Sequence, residues 1–286
     1  MPEASRKESV STFYRPLRGI TVTHIKQMYD LYASFYENTA LDVFMHDLSK
    51  KSGVILVTRK SDEKVVGFST LTCFDLQVEG RAVRGIFSGD TIIEPAYWGN
   101  NALAATFHRR VVIERLKKPL TPFYWFLISK GYTTYLLLTN NFYNYYPNVR
   151  GGDARYRRVT EAYCEALFPE AFDRQKMVLD FGHDYVRLRG DVAEITPELK
   201  AANPHIAFFE KVNPEWRRGT ELPCVGSCDY ESVLRSCVDM PLKWFRKHVL
   251  RTHRPAGIEV APMSPSGSPW QDTDVLPDGL DRQRAS

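Results

Sequence analysis

At 286 residues the chain is long enough to bury a sizeable core in one large domain or two modest ones, and 43% hydrophobic and 25% charged residues are ordinary for a water-soluble globular protein. The balance of 38 Lys and Arg against 34 Asp and Glu, a net charge of +4, is compatible with an anionic ligand but lacks the clustered basic face that nucleic-acid binding needs. Five cysteines without regular pairing predict reduced thiols, and no apolar run reaches the length of a membrane span, so the sequence predicts a cytoplasmic protein with no nucleic-acid partner.

Residues 1–16 read as a loose polar lead without the apolar core of a signal peptide. "THIKQMYDLYASFYEN" spaces Ile25, Met28, Leu31, Tyr32 and Phe35 as an amphipathic helix capped by a threonine, and "ALDVFMHDLSKK" gives a second, shorter one. "GVILVTR" and "VVGFSTLTCFDLQV" are strands joined by a hairpin turn at "KSDEK", and "RAVRGIFSGDTII" is a third strand after a turn at Glu79-Gly80. A helix from about 100 to 117 carries Leu103, Phe107 and Val111 on one stripe, with His108, Arg109 and Arg110 beside it as a solvated basic face. "FYWFLI" is a buried strand, and "YTTYLLLTNNFYNYY" a helix stopped by Pro147.

The second half predicts a helix at "RVTEAYCEALF", short strands at "KMVLDF" and "DYVRLRG", a helix at "PELKAANPHIAFFEKV", a strand at "TELPCVGS" and a closing helical segment from Tyr230 to His253, interrupted by Pro241. Residues 255–286, rich in Pro, Ser, Gly and Asp without periodicity, read as a disordered tail.

The order of two helices, an antiparallel hairpin, a third strand, a helix, a strand and a helix resembles the GNAT superfamily of acyltransferases, over about residues 20–147. The resemblance implies an α/β (α+β) fold: a mixed, mostly antiparallel central sheet flanked by helices, here with a C-terminal extension over 150–254 in a domain spanning 17–254. In that family the loop into the central helix holds the donor's pyrophosphate on backbone N–H groups, at the positive end of the helix dipole. "IIEPAYWGNNALAATF" stands where the family shows that strand, turn and helix, so the resemblance makes Ile92, Trp98, Gly99, Asn100, Asn101 and Ala102 the candidate donor-binding residues. It departs from the family where Trp98 replaces the usual Arg or Gln, Asn101 a second Gly and Leu103 the last small residue. Left-handed backbone at Asn100 and Asn101 is one way to keep the turn's shape. The same stretch also reads as an ordinary Gly-Asn connection into an Asn-capped helix, with Trp98 as a core anchor.

The chemistry implied is transfer of an acyl group, from acyl-CoA or an acyl-carrier-protein phosphopantetheine thioester, to an amine of a small molecule or peptide. Strand period places Arg84, Ile86, Ser88, Asp90, Ile92 and Glu94 on one face. Asp90 lies in an apolar strand, where a carboxylate must be paired, hydrogen-bonded or neutralised, and a carboxyl of raised pKa suits removal of the amine proton. Asp90 and Glu94 are therefore the candidate bases, with Ser88 and Phe87 as candidate substrate contacts. By resemblance to a family tyrosine that protonates the departing thiolate, Tyr145 and Tyr146 are candidate acids; an aromatic packing face reads equally well there.

An acyl carrier protein would dock on the Arg109-Arg110 surface. No metal is expected: Cys224, Cys228 and Cys237 with His248 and His253 lack a matching pair of zinc knuckles. The competing reading of the whole chain is a GNAT-like binding or accessory protein that has lost catalysis.

Overall fold

A computed structural model describes residues 8–37, 39–98, 101–182, 187–188 and 194–230. The predicted tail at 255–286 and all of the closing segment but Tyr230 lie outside the described residues, as do Cys237, His248 and His253.

The chain opens with β1 (Val10–Pro16), which pairs antiparallel with β3 (Gly53–Arg59). Residues 10–16 are thus an edge strand and not part of a loose lead: Phe13 packs toward one core and Val10 and Tyr14 toward another, an alternation short enough to escape a composition-based reading. Between these strands come α1 (Val22–Phe35), the two-residue β2 (Tyr36–Glu37) and α2 (Leu41–Ser49). Thr21 caps α1, its Oγ1 accepting from His24 N–H at 3.2 Å.

β4 (Val65–Val78) and β5 (Arg81–Ile93) follow as a long hairpin, turned at Glu79 and Gly80, both with positive φ. α3 (Ala102–Lys117), β6 (Phe123–Ser129), α4 (Tyr132–Asn141) and the short β7 (Tyr145–Tyr146) come next. The predicted helix over 132–146 therefore stops at Asn141, and Tyr145 and Tyr146 sit on a strand. The C-terminal half adds α5 (Ala154–Leu167), the small pair β8 (Phe172–Asp173) and β9 (Val178–Leu179), β10 (Arg187–Leu188) against β2, α6 (Pro197–Ala202), α7 (Pro204–Val212) and β11 (Leu222–Ser227). One helix was expected over 197–212; Asn203 and Pro204 break it in two, Asn203 capping α7 through His205 N–H at 3.0 Å.

The main sheet has seven strands in the order β1-β3-β4-β5-β6-β11-β7. Every pairing is antiparallel except β5 with β6, which is parallel because α3 crosses between them. This mixed, mostly antiparallel sheet flanked by helices is the architecture the resemblance implied. One face buries Met28 and Tyr32 of α1 and Phe44 and Leu48 of α2, and farther along the sheet Tyr156, Val159 and Tyr163 of α5. The other buries Leu103 and Val111 of α3, Tyr135 and Leu138 of α4 and Phe209 of α7. Glu114 of α3, 1% exposed, anchors that helix to β5 by a 2.7 Å pair with Arg84; Lys117 at 2.7 Å and Arg110 complete its surroundings. The C-terminal extension is thereby part of the same sheet, through β11.

Candidate active site

Two departures from ideal pairing create the site. In the β4–β5 ladder Ser69 pairs with Thr91 and Leu71 with Ser88, so the pair Gly89 and Asp90 faces the single Thr70. Such a bulge kinks the strand and reverses its in-out parity. Ile86, before it, packs with α3, whereas Ile92, beyond it, packs with α1 and α2. The expectation that Arg84 through Glu94 alternate on one face therefore fails at residue 89. A side chain there would crowd the bulge: a Cβ on Gly89 would stand 2.6 Å from Thr70 Oγ1 and 3.5 Å from Lys51 Nζ.

The second departure lies between β5 and β6. Their parallel pairing runs from Arg84↔Phe123 to Phe87↔Phe126 and ends there. Beyond it β5 stays with β4, through Thr91, Ile92 and Ile93, while β6 stays with β11, pairing Leu127 with Cys224 and Ser129 with Leu222. The two strands separate, and a cavity of about 270 Å³ occupies the gap. Ser88 to Ile92 line it from one strand, Leu127 and Ile128 from the other.

The cavity reaches elements on both sides of the sheet. Toward α3 and α4 its walls are apolar, with Leu103, Phe107, Trp125, Leu137 and Phe142. The aromatic rings lock together: Trp125 lies 5.4 Å from Phe107 and 5.1 Å from Phe142 between centroids, and its Nε1–H donates to Ser88 Oγ at 2.9 Å. Toward α1 and α2 the walls are polar, with Tyr36, Asp47, Lys51, Asp90, Lys130 and Glu221.

Burial pushes the Asp90 carboxyl above the ordinary carboxylate range; Lys51 opposes the shift, Asp47 adds to it and Lys130 opposes it again. Glu221 is 1% exposed, is pushed up by burial, and faces Lys130 Nζ at 3.4 Å. Lys51 bridges to Asp47 at 2.8 Å. Burial holds the Tyr36 phenol well above its usual range, so it keeps its O–H at neutral pH. His108 also lines the cavity; its Nδ1 lies 3.2 Å from the Ala104 carbonyl and burial lowers its pKa.

Of the residues singled out in the sequence, the fold brings Phe87, Ser88, Asp90 and Ile92 to the cavity. Glu94 does not reach it: the bulge and the end of β5 turn it to Lys64, at 3.4 Å. Tyr145 and Tyr146 sit on the edge strand β7, paired with Gly226 and Val225, and neither lines the cavity. Trp98 is the core anchor of the plainer reading, with Nε1–H donating to the Ile93 carbonyl at 2.8 Å. Asn101 precedes α3 with φ −77°, so it is not left-handed, and its side chain makes no cap bond. Ala102 begins the helix outside the cavity lining, and Gly99 and Asn100 lie outside the described residues. The basic face on α3 is also revised: only Arg109 is exposed, since Arg110 stacks 4.0 Å over Tyr14 and pairs with Glu114, and His108 turns inward.

Glu221 was missed from sequence, where it reads only as the lead into "LPCVGS". A charged residue directly before the apolar run "LPCVGS" was the available signal. Its backbone is fixed by reciprocal 2.8 Å bonds with Leu179. The preceding turn is closed by Asn213 and Thr220, both buried, through Asn213 Nδ2–H to the Thr220 carbonyl at 2.9 Å and Thr220 Oγ1–H to Asn213 Oδ1 at 2.6 Å.

No protein-family model and no curated protein matches the sequence. Solved structures similar in arrangement include a conserved protein from Enterococcus faecalis described as a probable N-acyltransferase, at 18% identity and TM-score 0.36, over 46% of this chain and 32% of that one. A GNAT family N-acetyltransferase from Escherichia coli in complex with CoA is similar at 12% identity and TM-score 0.31, over 43% of this chain and 64% of that one. A GCN5-related N-acetyltransferase from Kribbella flavida is similar at 15% and 0.36, over 49% and 34%. The chain spans less than two thirds of the Enterococcus and Escherichia proteins. Its strand order, its parallel crossover and the separation of β5 from β6 are those that the resemblance to the GNAT superfamily implies. Among the described residues no group of three or more His, Cys, Asp and Glu could hold a metal, and no helix is long and apolar enough to cross a membrane.

Proposed function

We propose that this protein is an N-acyltransferase that moves an acyl group from a thioester, acyl-CoA or a carrier-protein phosphopantetheine, to an amine of a small molecule or peptide. The observation that carries the reading is the separation of β5 and β6 beyond Phe87 and Phe126, with Asp90 set in the resulting cavity. Backbone edges released from pairing offer N–H and C=O groups to an extended, amide-bearing donor arm. The apolar walls at Leu103, Phe107 and Trp125 suit the arm and its acyl group, and the polar end suits the amine.

In this scheme Asp90 takes a proton from the amine, whose nitrogen attacks the thioester carbon directly. The C–S bond breaks, and the thiolate leaves with a proton. Tyr36, the one tyrosine lining the cavity among the described residues, replaces Tyr145 and Tyr146 as the candidate donor of that proton. The donor's phosphate end is assigned to the turn from Trp98 to Ala102. Arg109, the exposed residue of the predicted pair, narrows the surface on which a carrier protein would dock. Cys73, Cys164, Cys224 and Cys228 are all free thiols, in keeping with a reducing, cytoplasmic setting.

Thermal denaturation with CoA, acyl-CoA and phosphopantetheine tests the donor site, because a ligand that binds the folded state raises Tm. Acyl-CoA is expected to stabilise the wild type, and Asn101→Trp to abolish the shift. Stabilisation that survives Asn101→Trp removes the phosphate from this turn. Donor binding without turnover across a panel of amines favours the accessory-protein reading.

A further inference from the structure

Glu221 has no part in the acid–base scheme above, yet its carboxylate lines the cavity. Its Oε1 is shielded from solvent, and its contact with Lys130 Nζ, at 3.4 Å, is longer than the roughly 2.7–2.9 Å of a full charge-assisted bond. A carboxylate removed from water and left short of donors destabilises the fold, and such groups concentrate where a ligand completes them. The remaining charges at this end sharpen the point. Lys51 pairs with Asp47 at 2.8 Å, Lys130 faces Glu221, and both ammonium groups act on Asp90 only from farther away. Three carboxyl groups, Asp47, Asp90 and Glu221, thus meet two ammonium groups in one enclosed space.

We infer that Glu221 determines acceptor specificity: the acceptor enters as a compact aliphatic ammonium, its charge met jointly by Glu221 and Asp90, and short amines that also carry a carboxylate are rejected. The inference rests on the acyl-transfer reading for its chemistry but not for the binding itself. An incoming cation cancels the surplus negative charge, whereas a second carboxylate enlarges it. The proton count closes as well. The bound ammonium passes one proton to Asp90 and attacks as a neutral amine; as the C–S bond breaks, Tyr36 protonates the thiolate and recovers its own proton from the acylated nitrogen, leaving a neutral amide and a thiol. After transfer Asp90 is neutral, Glu221 remains against Lys130, and Asp47 remains against Lys51.

Isothermal titration of the full chain with butylamine, 1,4-diaminobutane and 4-aminobutyrate, without thioester and again with CoA present, tests this independently of catalysis. Butylamine and diaminobutane are expected to bind the wild type and to weaken at least about tenfold in Glu221→Gln, a loss of roughly 1.4 kcal/mol; 4-aminobutyrate is expected not to bind. Equal affinities in wild type and Glu221→Gln, binding of 4-aminobutyrate as tight as that of butylamine, or no binding of any amine in either condition overturns the inference. Acyl-CoA stabilisation of Glu221→Gln equal to that of the wild type shows that the variant is folded. If Glu221→Gln does not fold, Glu221→Asp, which keeps the charge but shortens its reach, is expected to give a smaller loss, and an unchanged affinity there overturns the inference. Amine binding without any effect of acyl-CoA overturns the transferase reading and leaves the cation site standing.

Discussion

Ser88, the first residue of β5 beyond its parallel pairing with β6, accepts the indole N–H of Trp125, which is still paired with Ile86, at 2.9 Å. Side chains thus bridge the strands where the backbone ladder stops. Ser88→Ala leaves a largely buried indole N–H without its acceptor, a change expected to cost about 1–3 kcal/mol. Thermal denaturation reads it directly, with Ser88→Thr, which keeps the hydroxyl, as the control. Equal melting of Ser88→Ala and wild type would show that the bridge contributes nothing to the split.

Asp90 links stability and pH in a direction opposite to that of a salt-bridged carboxylate. Burial raises its folded-state pKa above the unfolded value, so between the two the folded protein binds the extra proton. Stability therefore declines as pH rises through that window and is retained below the ordinary carboxylate range. Asp90→Asn, which never ionises, is expected to melt higher than wild type at neutral pH, with the gain vanishing toward acid pH. Its turnover is expected to fall by about 10²–10⁴. A lower Tm for Asp90→Asn at neutral pH would mean that Lys51 and Lys130 more than satisfy the ionised carboxylate.

Gly89→Ala places a methyl group 2.6 Å from Thr70 Oγ1, at the bulge that sets Asp90. Overpacking of this kind costs about 1–3 kcal/mol. Combining it with Thr70→Ala is expected to recover most of the loss, because that change removes the atom the methyl meets. Additive effects in this double-mutant cycle would refute the clash.

The Asn213–Thr220 pair fixes the turn immediately before Glu221. Asn213→Ala strands the Thr220 carbonyl and hydroxyl in the core and is expected to cost about 1–3 kcal/mol. It is also expected to weaken amine binding without changing acyl-CoA stabilisation, since the released turn carries Glu221 and no donor-facing residue. Loss of acyl-CoA stabilisation in this variant would place the turn on the donor side instead.

Much of this molecule was legible in its sequence because hydrophobic periodicity reports local geometry. The hairpin, the strand–helix–strand crossover and the C-terminal strand all stand where their patterns place them. Asp90 was legible for a different reason, as a charge inside an apolar strand. The errors share a cause. Parity along β5 assumes an unbroken ladder, and the bulge at Gly89 is set by the opposing Thr70, which no local pattern reveals. Tyr145 and Tyr146 continue the aromatic run of α4, so only their pairing with β11, some eighty residues later, shows that they are strand. Glu221 depends on the same long-range pairing: it reaches the cavity because β11 inserts beside β6.

A cavity whose walls come from helices on opposite faces of one sheet has a kinetic signature under the proposed reaction. There the amine attacks the thioester directly, so both substrates must occupy the cavity together. Initial velocities measured against both substrates should then give intersecting double-reciprocal lines, whereas the parallel lines of a double-displacement enzyme would require the acyl group to rest on the protein between two successive visits.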